Sequence, residues 1–347
     1  LLDQDSQAEV LFLTSSRDVD RIVMQHAPVA RSPRCEVVAL PLTQPPGLNL
    51  SGPSHLWSLV RAVHQSHRLL EARSADVVLA TGAFAAVPGL MAAHRRNIPV
   101  VLFEANTVPG KVNRWWAKRA AQRFSAWSLD DSLQPEFEPV GMPVRTRPSS
   151  PDGSDRSGVS AASRQILVVG GSQGSRRLNE LVCHALESMT LPAGWHILHQ
   201  TGPQGAGGTG YRETPDGLHQ VPFIDDIIGE MHRSELVISR AGAVTLGETA
   251  AAGCPAVLVP FEGAADGHQL RNAERFAAYG AAVVVREAAD TAVAELQDHL
   301  QQLTVDAGAR NLMKQAAAIL HDPQSAAVIA QRLSALVDES SGRRRAR

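Results

Sequence analysis

Ile166-Leu167-Val168-Val169-Gly170-Gly171-Ser172-Gln173-Gly174-Ser175 is the stretch that decides the fold, because residues 178–189 directly after it carry helical periodicity. Four consecutive apolar residues suit a strand buried on both faces, as in a parallel sheet. Glycines at its end let the backbone approach a ligand closely, and free N–H groups at the start of a following helix favour an anion. Ser172 and Gln173 add side-chain donors. A plain strand–helix turn would need the same glycines for its φ angles. The string therefore establishes strand–turn–helix first and a phosphate loop only as one of two readings.

The alternation continues in both directions. Short apolar runs at 9–14, 36–40, 77–80, 100–104, 166–170, 196–200, 236–239, 256–259 and 281–285 are candidate strands. Amphipathic stretches at 56–71, 178–189, 244–252, 269–279 and 292–303 are candidate helices between them. This pattern predicts an α/β protein with parallel sheets covered by helices on both faces. Residues 146–164 are rich in Pro, Ser, Gly and Asp, lack periodicity and read as a linker. The expected organisation is a first α/β domain at 1–147, a linker at 148–163 and a second α/β domain at 164–322. A helix at 323–338 is expected to pack back on the first domain, and a basic tail at 339–347 ends the chain in disorder.

The chain's 347 residues exceed what one ordinary core needs and suit two domains of roughly 150 residues each. Hydrophobic residues at 44% and charged residues at 20% place it among globular rather than disordered proteins. A net charge of −2 gives no global field for nucleic acid, so no nucleic-acid partner is expected. Cys35, Cys183 and Cys254 are scattered, with no C-x-x-C, and read as reduced thiols of a cytosolic protein. No apolar run approaches the roughly 18 residues needed to cross a bilayer, and no signal peptide is apparent.

Two further strings share the grammar of the first. In Leu236-Val237-Ile238-Ser239-Arg240-Ala241-Gly242-Ala243-Val244-Thr245, a strand meets a small-residue turn and a helix that could hold a diphosphate at its N-terminus. Glu248, one turn on, could accept hydrogen bonds from two vicinal ribose hydroxyls, or serve only the helix dipole. After 256–259 come Pro260-Phe261 and then Asp266-Gly267-His268-Gln269-Leu270-Arg271-Asn272-Ala273, whose polar side chains fit sugar hydroxyls; Asp266 also reads as a helix cap. Three such loops at the carboxyl ends of strands in one sheet lie where open α/β sheets bind ligands. Gly205-Ala206-Gly207-Gly208-Thr209-Gly210 matches the dinucleotide fingerprint, but no helix can start at Tyr211–Pro215, so it is assigned to a loop. The D-x-D strings Asp3-Gln4-Asp5 and Asp18-Val19-Asp20 flank the first strand and read as solvated carboxylates; His64 and His67 lack a third metal ligand. In the first half, Gly82 follows a strand, and Glu104-Ala105-Asn106 ends another ahead of Lys111-Val112-Asn113. A carboxylate at that position is either a general-base candidate or a structural cap.

These pieces occur in the order and spacing of the MurG family of cell-wall N-acetylglucosaminyltransferases, which the chain resembles from about residue 8 to its last helix. Gly170–Gly174 resembles the family's GGSQG loop. Phe223-Ile224-Asp225-Asp226, Arg240-x-Gly242-Ala243-x-Thr245, Glu248, Val259-Pro260-Phe261, His268-Gln269 and Asn272-Ala273 resemble further signatures, as do Glu104-x-Asn106, Asn113 and Pro143-Val144-Arg145. The resemblance implies two Rossmann-like domains facing a cleft, the GT-B glycosyltransferase architecture. It implies inverting transfer of N-acetylglucosamine from UDP-N-acetylglucosamine to the lipid-linked muramyl-pentapeptide acceptor, in peptidoglycan synthesis, with no cofactor and no obligatory metal. Gly171, Ser172, Gln173, Gly174, Phe223, Ile224, Arg240, Gly242, Ala243, Thr245, Glu248, His268, Gln269 and Asn272 are the implied donor-binding residues. Within that set Ile224 lies against the uracil, Ser172 and Gln173 hold the phosphates, Glu248 holds the ribose, and Gln269 reads the sugar with His268 nearby. Glu104 is the implied base with Asn106 beside it, and Gly82, Asn113 and Arg145 lie on the acceptor side.

The departures fall in the acceptor half. The family's opening strand and GGTGGH loop are not found before Leu1, so an N-terminally truncated first domain with a core gap is expected. Phe103, Ala105, Ala83 and Met142 replace His, Gln, Gly and Asn of the family's strings. Three functions therefore stay open: a transferase, a non-catalytic UDP-sugar-binding homologue, and a related transferase using another glycolipid. A lipid-linked acceptor implies a peripheral position on the cytoplasmic membrane face. Leu56, Trp57, Leu59, Val60 and Val63 with Arg61 and Arg68, and Arg114-Trp115-Trp116-Ala117-Lys118-Arg119, are the candidate contacts with an anionic membrane surface.

Overall fold

The computed structural model describes all residues except 3–4, 18–23, 25–27, 43–52, 130–135, 146–162, 172–173, 203–211, 214–216, 265–266 and 346–347. The expected linker, the Gly205–Gly210 string, Asp18-Val19-Asp20, Asp3, Ser172, Gln173 and Asp266 thus lie wholly or largely outside the described residues. The chain divides into two compact units. Leu1–Ala105, Pro109–Val140 and Gln324–Arg347 form one, and Asn106–Val108 with Gly141–Pro323 the other.

In the first unit, β1 (Val10–Ser15) and β2 (Cys35–Leu40) pair in parallel, Val10 opposite Cys35. Helix α1 (Pro53–Ala72) follows. Its Ala62, Val63, Ser66 and Leu70 are buried at helical spacing, while Leu56, Trp57 and Val60 stay exposed on the other side. Strands β3 (Val78–Ala80), β4 (Val100–Glu104), β5 (Gln122–Ser125) and β6 (Glu138–Pro139) make a second parallel sheet in that order, with α2 (Val87–Arg95) and α3 (Lys111–Trp116) between them. Among the described residues the two sheets are not joined. Strands of parallel sheets are normally covered on both faces, yet β1 is only half-buried along most of its length and Leu79 of β3 is exposed. The core lies instead around β4, where Leu90, Leu102, Trp116 and Phe137 pack together.

The second unit is built on one sheet. Its strands are β7 (Arg164–Val169), β8 (Trp195–Gln200), β9 (Arg212–Glu213), β10 (Leu218–Val221), β11 (Ser234–Ser239), β12 (Ala256–Leu258) and β13 (Ala282–Val284). They lie in the order β13-β12-β11-β7-β8-β10-β9, all parallel except the β9–β10 pair. From β7 the chain winds outward to one side and then, from β11, to the other. The switch point therefore falls between β7 and β11, and the glycine-rich string and the Arg240–Gly242 turn both sit there. Helices α4 (Arg176–Glu187), α5 (Ile227–Arg233), α6 (Ala243–Ala252), α7 (His268–Ala278), α8 (Ala292–Val305) and α9 (Ala307–Ile319) cover the faces. Ile166, Val168, Leu178, Val182, Ile238 and Leu296 form the larger core, and each such side chain contributes roughly 1.5–3 kcal/mol by leaving water.

The fold is α/β throughout, as the alternation requires. Helix α2 carries Pro88-Gly89 at its start. Proline stands in the first turn, where its missing N–H costs nothing. The basic tail differs from expectation. The last helix, α10 (Ser325–Arg345), belongs to the first unit and carries helical backbone through Arg343–Arg345, and Ala346 and Arg347 lie outside the described residues. Among the described residues no helix is long and apolar enough to cross a membrane.

Candidate functional site

The β7–α4 loop is held from below. Gly174 has φ +72°, and a Cβ there would fall on the Thr201 carbonyl, with Gly202 Cα only 2.7 Å away, so only glycine fits. Asn179 on α4 donates to the same Thr201 carbonyl at 2.9 Å, and its Oδ1 lies 3.0 Å from His199 Nε2. Since the amide nitrogen is used on Thr201, His199 is the donor of that second bond. Burial lowers the His199 pKa to about 4, so its ring is neutral. Ser175 caps α4, its Oγ accepting from Leu178 N at 3.4 Å.

Arg240, at the end of β11, reaches Ser175 Oγ through Nη2 (2.6 Å) and Nε (3.0 Å), and donates to Val259 O at 3.0 Å. It is buried and ion-paired with buried Glu287 at 2.6 Å. The expectation of a ligand contact from Arg240 meets a side chain turned inward. Its guanidinium ties the ends of β11 and β12, the α4 cap and Glu287 beyond β13 into one rigid edge.

Gly242 is the N-cap of α6 and supplies no side-chain cap, so among the described residues no cap bond takes the first-turn N–H groups, those of Ala243 and Thr245 included. Glu248 is half-buried on the second turn. Loss of solvent raises its pKa to about 7, with the Arg145 guanidinium pulling the other way. Arg145 was expected on the acceptor side. It stands instead in the second unit, because Met142 and Val144 pack on α6 so tightly that a Cβ at Gly247 would lie 3.0 Å from Val144 Cγ1.

At the end of β10, Phe223 is exposed and Ile224 is buried, and Asp226 caps α5 through Gly229 N at 3.1 Å. Beyond β12, Gln269 Oε1 accepts from Phe261 N at 2.9 Å, which fixes the loop ahead of α7; His268 is half-buried at the helix start. Asn272 is fully buried. Its Oδ1 accepts from Thr107 N (2.9 Å) and Thr107 Oγ1 (3.0 Å), and its Nδ2 donates to Ala241 O (3.1 Å) and Asn106 Oδ1 (3.2 Å). Asn106 and Asn272 are therefore brought together inside the second unit, and all four bonds of Asn272 go to protein.

In the first unit Gly82, Glu104 and Asn113 converge. Buried Glu104 accepts from Asn113 Nδ2 at 2.8 Å and from Gly110 N, the residue that starts α3, at 2.9 Å. Gly82, with φ +79°, would place a Cβ only 2.9 Å from Asn113 Oδ1. A general base must reach the proton it removes. Glu104 is 2% exposed and already bonded to the α3 entry loop, so the geometry gives it a positioning task. Among the described residues, no group of three or more His, Cys, Asp or Glu side chains could hold a metal ion.

Residues 4–125 match the glycosyltransferase family 28 N-terminal domain and residues 165–333 the family 28 C-terminal domain. The chain belongs to glycosyltransferase family 28. A UDP-N-acetylglucosamine–N-acetylmuramyl-(pentapeptide) pyrophosphoryl-undecaprenol N-acetylglucosamine transferase of Xanthomonas campestris pv. campestris (strain 8004) is 36% identical over 275 residues, 78% of this chain and 63% of that protein. The transferase of the same name from Halorhodospira halophila is 39% identical over 233 residues, 65% of this chain and 63% of its own. The matched stretch thus spans less than two thirds of these relatives. The crystal structure of Acinetobacter baumannii MurG superposes with a TM-score of 0.66 at 24% identity, over 96% of this chain and 99% of that one. The calicheamicin glycosyltransferase CalG4 gives 0.63 at 15% identity, over 94% and 90%. Both likenesses establish the two-domain glycosyltransferase fold.

Within this family 28 chain, four buried residues at the site were invisible to motif reading: Asn179, His199, Gln200 and Glu287. Gln200, at the end of β8, donates to Gly171 O at 3.0 Å and accepts from Ile224 N at 3.0 Å. Each bonds across neighbouring strands or a strand and a helix. The signal available in the sequence was only that polar residues stand at the ends of otherwise apolar strands.

Proposed function

We propose that this chain transfers N-acetylglucosamine, with inversion, from UDP-N-acetylglucosamine to undecaprenyl-pyrophosphoryl-N-acetylmuramyl-pentapeptide, in peptidoglycan synthesis. The carrying observation is the uncapped N-terminus of α6 at the sheet's switch point with Glu248 one turn further on. The printed names of the relatives supply the substrates. The acceptor hydroxyl attacks the anomeric carbon, the new C–O bond forms as the bond to the diphosphate breaks, UDP leaves with the electron pair, and the hydroxyl proton passes to solvent water. Backbone N–H groups and dipoles at α6 and α4 face the charge that develops on the leaving oxygen. Glu248 receives the ribose hydroxyls and Ile224 backs the uracil. Gly171–Gly174 and Gly242–Thr245 take the diphosphate, and His268 and Gln269 border the sugar. Glu104 shapes the acceptor side by holding Asn113 and the α3 entry loop. Calorimetry with UDP and UDP-N-acetylglucosamine, beside a radiolabel transfer assay on the lipid-linked acceptor, tests the proposal. Absence of nucleotide binding would remove it.

A second reading is a UDP-sugar-binding homologue without transfer. The separation of the first unit's strands into two sheets favours it. Nucleotide binding at normal strength with no transfer to any glycolipid would select that reading.

For an acceptor held in a membrane, the first unit offers a docking face on the cytoplasmic side. Leu56, Trp57 and Val60 are exposed beside Arg61 and Arg68 on α1, and Trp115 is exposed beside Arg114. Trp116 and Val63 are buried in the core and take no part.

A further inference from the structure

We infer that Gln200 is a positioning residue that couples the two halves of the nucleotide site, setting the diphosphate loop and the base wall at a fixed span. The inference rests on the donor-site reading above and goes beyond it, because Gln200 faces no ligand in that reading. Its side chain is 1% exposed. Nε2 donates to Gly171 O and Oε1 accepts from Ile224 N, each at 3.0 Å. Gly171 leads into the diphosphate loop and Ile224 is the base wall, so one amide links them directly.

The chemistry demands an amide. One partner is a carbonyl, which can only accept, and the other a backbone N–H, which can only donate. A carboxylate would satisfy Ile224 and repel the Gly171 carbonyl. A methionine of similar length would satisfy neither strongly, leaving the buried Ile224 N–H unpaired and the Gly171 carbonyl with only its turn bond from Gly174 N at 2.9 Å. The turn itself adds one backbone bond, Gly174 N to Gly171 O at 2.9 Å, while among the described residues nothing stands within 4 Å of the Cβ position of Gly171, whose φ is +90°. The turn bond is local, so among the described residues the Gln200 amide is the side-chain contact that ties the Gly171 carbonyl to the base wall.

The test uses the full chain with Q200M and Q200E, and E248A as a control for the ribose contact. UDP and uridine affinities are measured by calorimetry, and amide hydrogen exchange is followed at 170–175 and 218–224. For Q200M we expect UDP affinity to fall at least tenfold and the UDP-to-uridine affinity ratio to shrink. Exchange should rise in both segments together, with distant core segments unchanged. For Q200E a neutral carboxyl can donate and accept as the amide does. Its affinity relative to wild type should approach one at low pH and fall as the carboxyl ionises, a profile that mere structural damage would not give. E248A should lower UDP and uridine affinities by a similar factor and leave exchange at 170–175 untouched. Wild-type-like UDP binding by Q200M, a pH-independent Q200E ratio, or exchange rising in one segment only would overturn the coupling. A wild-type chain that binds no UDP but shows the paired exchange response would sink the donor-site reading and leave the coupling standing.

Discussion

At the residue scale, two titratable groups, one half-buried and one buried, tie the site to pH. Glu248 has its pKa raised to about 7 by loss of solvent, so the fold favours its protonated form. Its contribution to stability is complete below its unfolded pKa near 4.5 and is lost as pH rises through about 7. Ribose hydroxyls donate to the ionised form, so UDP binding should lower this pKa and release a proton between about pH 5 and 7. Binding enthalpy measured in buffers of different ionisation heat should show that release, and E248Q should abolish it. A buffer dependence unchanged in E248Q would mean the proton comes from elsewhere. E248A should weaken UDP binding by about 1–3 kcal/mol, since the ribose hydroxyls lose their acceptor; equal affinity would take Glu248 out of the site. His199 runs the other way. Its pKa is lowered to about 4 by burial, so its stabilising effect is complete above its unfolded value near 6.5 and is lost as pH falls towards 4. An unfolded state that takes up the proton first should cost about 3 kcal/mol across that window. Denaturant titrations at pH 7 and 4.5 should show a loss that is smaller in H199Q.

At the scale of elements, the donor edge was legible and its bracing was not. Strand–turn–helix is written in consecutive residues, so 166–175, 236–248 and 256–273 could each be read locally. The braces join residues far apart in the chain: Arg240 to Glu287, Asn179 to His199, Gln200 to Ile224. Nothing in a single sequence marks which polar strand end meets which. Arg145 and Asn106 stand in the second unit rather than within the 1–147 domain expected from the sequence, for a related reason. The chain changes unit at Ala105/Asn106, Val108/Pro109, Val140/Gly141 and Pro323/Gln324, and even Pro139, Gly141 and Pro143 at the third of these make a cluster too short to stand out beside the long Pro- and Ser-rich stretch at 146–164. Short strands such as β5, Gln122-Arg123-Phe124-Ser125, have too few residues to show a period. The same elements predict how diphosphate charge is met. The α6 and α4 N-termini stand at the switch point, so UDP affinity should be unchanged by EDTA and not restored or raised by Mg²⁺ or Mn²⁺. A metal-dependent affinity would show that helix dipoles do not suffice. G174A, which forces a Cβ onto the Thr201 carbonyl at positive φ, should shift the α4 start, with UDP affinity falling at least tenfold and the melting temperature dropping. An alanine variant that melts and binds like wild type would mean the loop has room to move.

At the scale of the whole molecule, the proposed lipid-linked acceptor would demand contact with a membrane, and among the described residues no helix is long and apolar enough to cross one. The first unit answers with an exposed apolar–basic face. Leu56, Trp57 and Val60 are spaced to lie together on α1, half or more of each being open to solvent, with Arg61 and Arg68 exposed on the same helix. Trp57 at 65% and Trp115 at 61% exposure are too open to be core residues, whereas Trp116 at 4% packs edge-on against His94 inside the unit. Tryptophan favours the membrane interface, and each basic residue near an anionic surface contributes about 1 kcal/mol. The face should therefore bind vesicles containing anionic lipid at low salt and release them as salt rises, because the Debye length falls to about 3 Å at 1 M. W57A combined with W115A should remove most of that binding and leave UDP affinity in solution unchanged, since both residues belong to the first unit and the donor edge to the second. W116A should instead lower the melting temperature by opening the core around Leu90 and Leu102. Flotation in which the wild-type chain ignores anionic vesicles, or in which the double variant floats as well as wild type, would place the membrane contact elsewhere.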